Sequence, residues 1–152
     1  MDKELIEELY QSLILEHSKR PRNFGTLEQC TCHQKGKNPS CGDELEVFLK
    51  INENTNIEDI KFYGKGCALF MSSSSLMTQI IKGKSIEEAN KILSEFIDFI
   101  LEDDIILNDN YEPLHIFENI KNFPLRVKCV LLPWRTVEYS LNLNNTNMIT
   151  TE

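Results

Sequence analysis

No stretch of the sequence approaches the run of about 18 apolar residues that a membrane-spanning helix needs. The opening Met1-Asp2-Lys3-Glu4 lacks the basic and then apolar layout of a secretory signal. A cytoplasmic protein with no membrane association is therefore expected. Positive charge is in short supply: 16 Lys and Arg stand against 24 Asp and Glu, for a formal net charge of −8. Such a surface repels phosphate backbones and carries no basic stripe, so no nucleic-acid partner is expected. The pattern GxGxxG is missing, because Leu69 stands where a third glycine would follow Gly64 and Gly66, and a dinucleotide site goes with it. No GxSxG elbow surrounds Ser72–Ser75. Those four serines read as caps and small packing residues rather than nucleophiles. There is no CxxC clip, no internal repeat and no second domain.

What is present suits one compact domain. The chain has 152 residues, enough for a single core. Leu5, Ile6, Leu9, Tyr10, Leu13 and Ile14 follow one helical face over residues 2–18, and Pro21 and Gly25 end that helix. Lys19, Arg20 and Arg22 then read as a solvated helix end, with docking of an acidic partner as the minor alternative. Residues 26–43 read as loop. Leu45, Val47, Leu49 and Ile51 alternate with polar residues as in a half-buried strand. Ile60 and Phe62 mark its hairpin partner, and Gly66-Cys67-Ala68 reads as a short third strand. Helices follow around Leu76–Ile81 and after Ser85, where Ser85 and Glu88 form a capping-box signature. A short helix is expected over Pro113–Ile120 and a last one from Leu125 to about Leu143, kinked or restarted at Pro133. The order predicts an α+β fold: a small three-stranded antiparallel sheet with helices packed on one side. The domain spans residues 1–141, and residues 142–152 read as a frayed tail.

The chemistry lies in cysteines. Five are present, an odd number that suits reduced thiols in the cytosol better than disulfides. Cys41-Gly42-Asp43 can aim two ligands at one ion if the chain turns sharply at Gly42; it reads equally as a tight turn with Asp43 as an end cap. Cys67 follows Gly64 and Gly66 and precedes a helix, where the dipole and free N–H groups favour a thiolate. A buried small residue at a strand end is the other reading. Cys129 has Arg126 on its helical face and Lys128 beside it, and positive charge makes a thiolate available; it could also be an apolar residue between Val127 and Val130. Cys30, Cys32 and His33 lie in the expected loop with a spacing that fits no common zinc finger. His17 and His115 read as surface or helix-end residues. Taken together, Cys41, Asp43, Cys67 and Cys129 supply three sulfurs and one oxygen, a set that Zn²⁺ accepts tetrahedrally. Four negative charges against two positive ones leave an excess that Arg126 would offset.

Several segments together resemble the SufU family, relatives of the IscU and NifU N-terminal iron–sulfur scaffold proteins. They are His17-Ser18-Lys19-Arg20-Pro21-Arg22-Asn23, Asn38-Pro39-Ser40-Cys41-Gly42-Asp43, Gly64-Lys65-Gly66-Cys67, Met77-Thr78-Gln79-Ile80-Ile81-Lys82-Gly83-Lys84 and Phe123-Pro124-Leu125-Arg126-Val127-Lys128-Cys129. Lys128 stands where the scaffold branch has a histidine, and residues 102–120 leave room for the SufU insertion. The resemblance implies a zinc-dependent sulfurtransferase with Cys41, Asp43, Cys67 and Cys129 as ligands. It implies that a SufS-type cysteine desulfurase presents a persulfide, whose terminal sulfur passes to Cys41 after a partner histidine replaces Cys41 on the metal. Arg126 would assist that step. A downstream iron–sulfur scaffold or apo-protein would then take the sulfur. The alternatives are a scaffold that builds an iron–sulfur cluster on the same cysteines and a purely structural zinc. The bulk of Ala68-Leu69-Phe70-Met71 and the extra thiols of Cys30 and Cys32 depart from the family pattern.

Overall fold

A computed structural model of the chain describes residues 2–142 and the backbone of residues 149–150. Helix α1 (Lys3–Lys19) is capped by Asp2, whose carboxylate accepts from the Glu4 N–H at 3.2 Å. Three strands follow, β1 (Cys32–Asn38), β2 (Asp43–Ile51) and β3 (Ile57–Lys65), each antiparallel to the one before. Helices α2 (Ala68–Ile81) and α3 (Ile86–Leu101) come next, then 3-10 segments at Asp109–Tyr111 and Leu114–Ile120. Helix α4 (Pro124–Asn142) completes the domain, and a two-residue strand β4 (Ile149–Thr150) lies parallel to β1. The expected α+β class is found, with the helices on one face of the antiparallel sheet.

Alternation decides which face that is. Leu45, Val47 and Leu49 of β2 and Ile60 and Phe62 of β3 are buried under α2 and α4. The opposite face carries ion pairs such as Lys35 with Glu46 at 3.5 Å and Lys65 with Glu44 at 3.7 Å, which contribute little to stability. Behind α2 and α4, Phe96 stacks on Trp134 with ring centres 4.1 Å apart, and both are fully buried. The indole N–H donates to Ser73 Oγ at 2.9 Å, and Ser73 donates onward to the Val130 carbonyl at 2.6 Å. All four serines of Ser72–Ser75 are buried. They let α1 and α4 approach α2 closely, and Ser73 and Ser75 also satisfy buried polar groups. The capping box at Ser85 and Glu88 is present.

The structure corrects the expected layout in four places. Residues 26–43 are not all loop, since Cys32–Asn38 forms β1. Gly66-Cys67-Ala68 is not a strand: β3 ends at Lys65, and Cys67 is the N-cap of α2. No restart occurs at Pro133, and α4 runs through it; the ring frees the carbonyl four residues back from the helical ladder. In the expected tail, Asn142 is helical, with its amide donating to the Glu138 carbonyl at 2.7 Å, and 149–150 pair with β1. The rest of that tail lies outside the described residues.

His17 sits in the last turn of α1, the helix-end place expected of it. It is buried, and its Nδ1 lies 2.8 Å from Ser75 Oγ. Ser75 Oγ also accepts from the Arg22 N–H at 2.8 Å, so one hydroxyl joins both residues to α2. The Arg22 guanidinium is turned to Glu16, 2.6 Å away. Arg22 and His17 thus staple the end of α1 to α2. Burial first, and then Arg22, push the His17 pKa below its ordinary 6.5, with Glu16 opposing. A depressed folded-state pKa means that the unfolded chain binds the proton more readily. Stability is therefore complete above about pH 6.5 and falls as pH drops below it. Denaturant unfolding at about pH 7 and about pH 5 should show a larger loss in the natural chain than in His17→Asn; equal losses would rule this account out.

Candidate metal centre

The end of the sheet where β1 turns into β2 assembles the donors. Asn38 pairs with Asp43 across the turn, so residues 39–42 form the hairpin loop. Gly42 sits at φ +74, a conformation in which a side chain would be strained. That turn exposes Cys41 at the loop tip while Asp43, two residues on, is fully buried at the start of β2. Both readings of Cys41-Gly42-Asp43 hold at once: it is a tight turn, and it aims two donors at one point. The third donor is Cys129, buried in the second turn of α4. Ligand atoms of Cys41, Asp43 and Cys129 lie within 4.8 Å of one another. Tetrahedral ligands of zinc stand about 3.3–3.8 Å apart, so little closure is needed.

Cys67 enters from the other side, and stands outside that mutual group. Its backbone N–H donates to Asp43 Oδ1 at 3.0 Å. Gly66 makes this approach possible, because a Cβ there would fall 2.3 Å from Asp43 Oδ1. At the mouth of α2 the Cys67 sulfur lies beside the Cys129 thiol and the Phe70 and Leu69 N–H groups, all of which favour its thiolate. With burial and Asp43 opposing, these bring its pKa down to about 7. The Cys129 thiol moves the opposite way: donation to Cys67, burial, and the nearby Cys41 and Asp43 all hold its proton. The N–H groups at the start of α2 thus favour the Cys67 thiolate, after the larger effect of the Cys129 thiol.

The donor set fits a divalent cation. Asp43 is buried, yet no ion pair among the described residues includes it. Its donors are neutral: the Cys67 N–H and the Asn38 amide, whose Nδ2 is 3.3 Å from Asp43 Oδ2. A buried carboxylate beside three sulfurs needs compensating positive charge. Zinc suits this mixture of soft sulfur and hard oxygen.

Arg126 does not pair with the donors. Its guanidinium lies over the Phe123 ring, 4.8 Å from the centroid. It lines a 760 Å³ groove between α1, α2 and α4, whose walls include Tyr10, Ile14, Leu69 and Cys67. Cys30 and Cys32 are half-buried and join no metal-binding group among the described residues. Cys32 faces Ser140, and burial pushes its thiol pKa up. His115 binds the Leu107 carbonyl through Nε2 at 3.1 Å. Sequence reasoning gave Asn38 no role. The available signal was its place before Pro39, which restricts it to extended backbone and turns its side chain inward beside Asp43.

With this geometry in hand, comparison with known proteins is informative. The family model described as NifU-like N terminal domain matches residues 9–129. The zinc-dependent sulfurtransferase SufU of Bacillus subtilis is 36% identical over 137 residues, covering 88% of this chain and 89% of that protein. The iron-sulfur cluster assembly scaffold protein IscU of Thermotoga maritima is 32% identical over 138 residues, covering 88% and 92%. Among solved structures, a putative iron-sulfur cluster assembly scaffold protein for the SUF system from Fervidobacterium islandicum superposes with a TM-score of 0.81. It is 34% identical and covers 93% of this chain and 100% of that one.

Proposed function

The chain belongs to the NifU-like N terminal domain family, and we propose that it serves iron–sulfur cluster assembly as a zinc-dependent sulfur acceptor. Cys41 takes persulfide sulfur from a SufS-type cysteine desulfurase and passes it to a downstream iron–sulfur scaffold or apo-protein. The observation that carries this reading is the unequal exposure of clustered donors: Cys41 is open to solvent, whereas Asp43 and Cys129 beside it are buried. Two donors suit permanent ligation and one suits exchange with a partner. Zinc held by Cys41, Asp43, Cys67 and Cys129 would keep these thiols deprotonated at neutral pH and offset their mutual repulsion.

In the transfer, the Cys41 thiolate attacks the terminal sulfur of the donor persulfide. A new S–S bond forms at Cys41, the donor's S–S bond breaks, and the donor cysteine leaves as a thiolate, with no net oxidation. Passing the sulfur on repeats the same exchange with the acceptor as nucleophile. The groove beside Cys67, with Tyr10, Ile14, Leu69 and Phe123 on its walls, suits an apolar part of the desulfurase. Arg126 at its edge would favour the anionic sulfur as it moves. No helix among the described residues is long and apolar enough to cross a membrane, and reduced thiols fit a cytoplasmic site of action.

The second reading, an iron–sulfur scaffold on the same ligands, is favoured by the scaffold names of relatives such as that of Thermotoga maritima. One experiment separates the two. Protein purified without chelator is assayed for metal, then incubated with desulfurase and cysteine, and its persulfides are alkylated and mapped by mass spectrometry. About one zinc per chain and a persulfide on Cys41 are expected. Coloured protein containing iron and sulfide, with no persulfide on Cys41, would favour the scaffold.

A further inference from the structure

We propose that Asn38 is a positioning residue of the metal centre: its side-chain amide holds Asp43 and Cys129 in the arrangement that binds metal. This rests on reading the centre as a zinc site. Asn38 is the last residue of β1, is fully buried, and stands opposite Asp43 in the sheet. Its Nδ2 donates to Asp43 Oδ2 at 3.3 Å and to Cys129 Sγ at 3.5 Å. An amide nitrogen carries two hydrogens, and here each has one ligand atom.

The other half of the amide explains why this is a device rather than a packing accident. Asn38 Oδ1 is buried with no hydrogen-bond partner among the described residues. Rotating the amide by half a turn would set that oxygen against the Asp43 carboxylate, acceptor facing acceptor. The side chain is therefore oriented by its two donors, and its own acceptor is left unmatched. Donors to ionised groups make the stronger bonds, so this orientation matches ligands that are anionic. Asp43 is then held at both oxygens, by Asn38 at Oδ2 and by the Cys67 N–H at Oδ1. Its carboxylate cannot rotate without losing one of them. A neutral donor also draws charge from two of four negative ligands without adding a fifth.

Groups that orient metal ligands in this way typically change metal affinity by about 10–100-fold when removed. Asn38→Asp keeps the shape and replaces the donor with an anion; Asn38→Leu keeps the volume and removes all polarity. In competition with a coloured chelator, zinc affinity should fall about 10–100-fold in both, and further in Asn38→Asp. In cobalt-loaded protein, the thiolate-to-metal absorption should shift in both variants, because Cys129 loses its N–H donor. A merely structural role would lower the unfolding temperature and leave that spectrum unchanged. Wild-type affinity with an unchanged cobalt spectrum in both variants would overturn the assignment.

Should neither variant fold, the unsubstituted protein decides by NMR. The Asn38 side-chain amide protons should differ in chemical shift between the zinc- and cadmium-loaded forms, and identical shifts would overturn it. Failure of the unsubstituted protein to retain zinc would remove the zinc reading, and this assignment with it. Retained zinc with indifferent Asn38 variants would remove this assignment alone.

Discussion

A Cys41→Ser protein is expected to accept no persulfide sulfur and to leave the partner desulfurase at its unassisted rate. Cys41 is the exposed thiol of the five, at the tip of the β1–β2 turn. Attack on a persulfide needs a nucleophile that can reach the donor sulfur, and a serine hydroxyl at neutral pH is not ionised enough to serve. The fold should hardly register the change. Beyond the donor group, the Cys41 sulfur makes a long hydrogen bond to the Leu125 carbonyl at 3.9 Å. Cys129→Ser should behave in the opposite way. That sulfur is buried and touches Cys67, Asn38 and Leu125, so its replacement disturbs the centre itself. A thousandfold loss of zinc affinity would remove about 4 kcal/mol from the stability of the loaded protein. Zinc content, chelator competition and unfolding of both variants, read beside desulfurase stimulation, test the contrast. Normal stimulation by Cys41→Ser would end the acceptor assignment.

The candidate donors stood out in the sequence because Cys41, Asp43 and Cys67 sit beside residues that shape the backbone, and Cys129 beside positive charge. Gly42 supplies the left-handed turn, Gly66 the close approach, and the helix at Ala68 the N–H groups. No single one was convincing, since a cysteine beside glycine also suits a tight turn. Their convergence is a property of the tertiary structure that spacing alone could not supply. Strand β1 was hidden for a related reason. Its inward positions are Cys32, Gln34, Gly36 and Asn38, three of them polar or without a side chain. Hydrophobic alternation, the main strand signal, was absent there. Of these inward residues, Asn38 is polar where it meets Asp43 and Cys129. The start of α2 was misread because Cys67 makes no side-chain cap bond; it carries none of the Ser or Asp signature that marked Ser85. Pro133 misled because local propensity gives way when flanking residues such as Leu132 and Trp134 are buried in the core.

Gly66→Ala should damage both the fold and the candidate site. The new Cβ would lie 2.3 Å from Asp43 Oδ1, 2.6 Å from Phe70 Cδ2 and 3.0 Å from Asp43 Cγ. Phe70 is fully buried against the core and has nowhere to go. The carboxylate can retreat only by giving up the Cys67 N–H or the Asn38 amide. Overpacking costs about 1–3 kcal/mol, and a buried polar group left without its partner about 1–3 kcal/mol. A combined loss of about 2–4 kcal/mol follows, together with weaker zinc binding, because Asp43 is the group displaced. Gly42→Ala provides the contrast. Its Cβ would meet nothing within 4 Å, but the residue lies at φ +74. It should lose only the backbone penalty of about 1–2 kcal/mol, with zinc affinity nearly kept. Denaturant unfolding and chelator competition on the two variants separate strain in a turn from intrusion on a ligand. A Gly66→Ala protein that kept native stability and zinc affinity would mean that Asp43 is free to move. The centre would then hold its metal through sulfur, and its carboxylate would not be a fixed ligand.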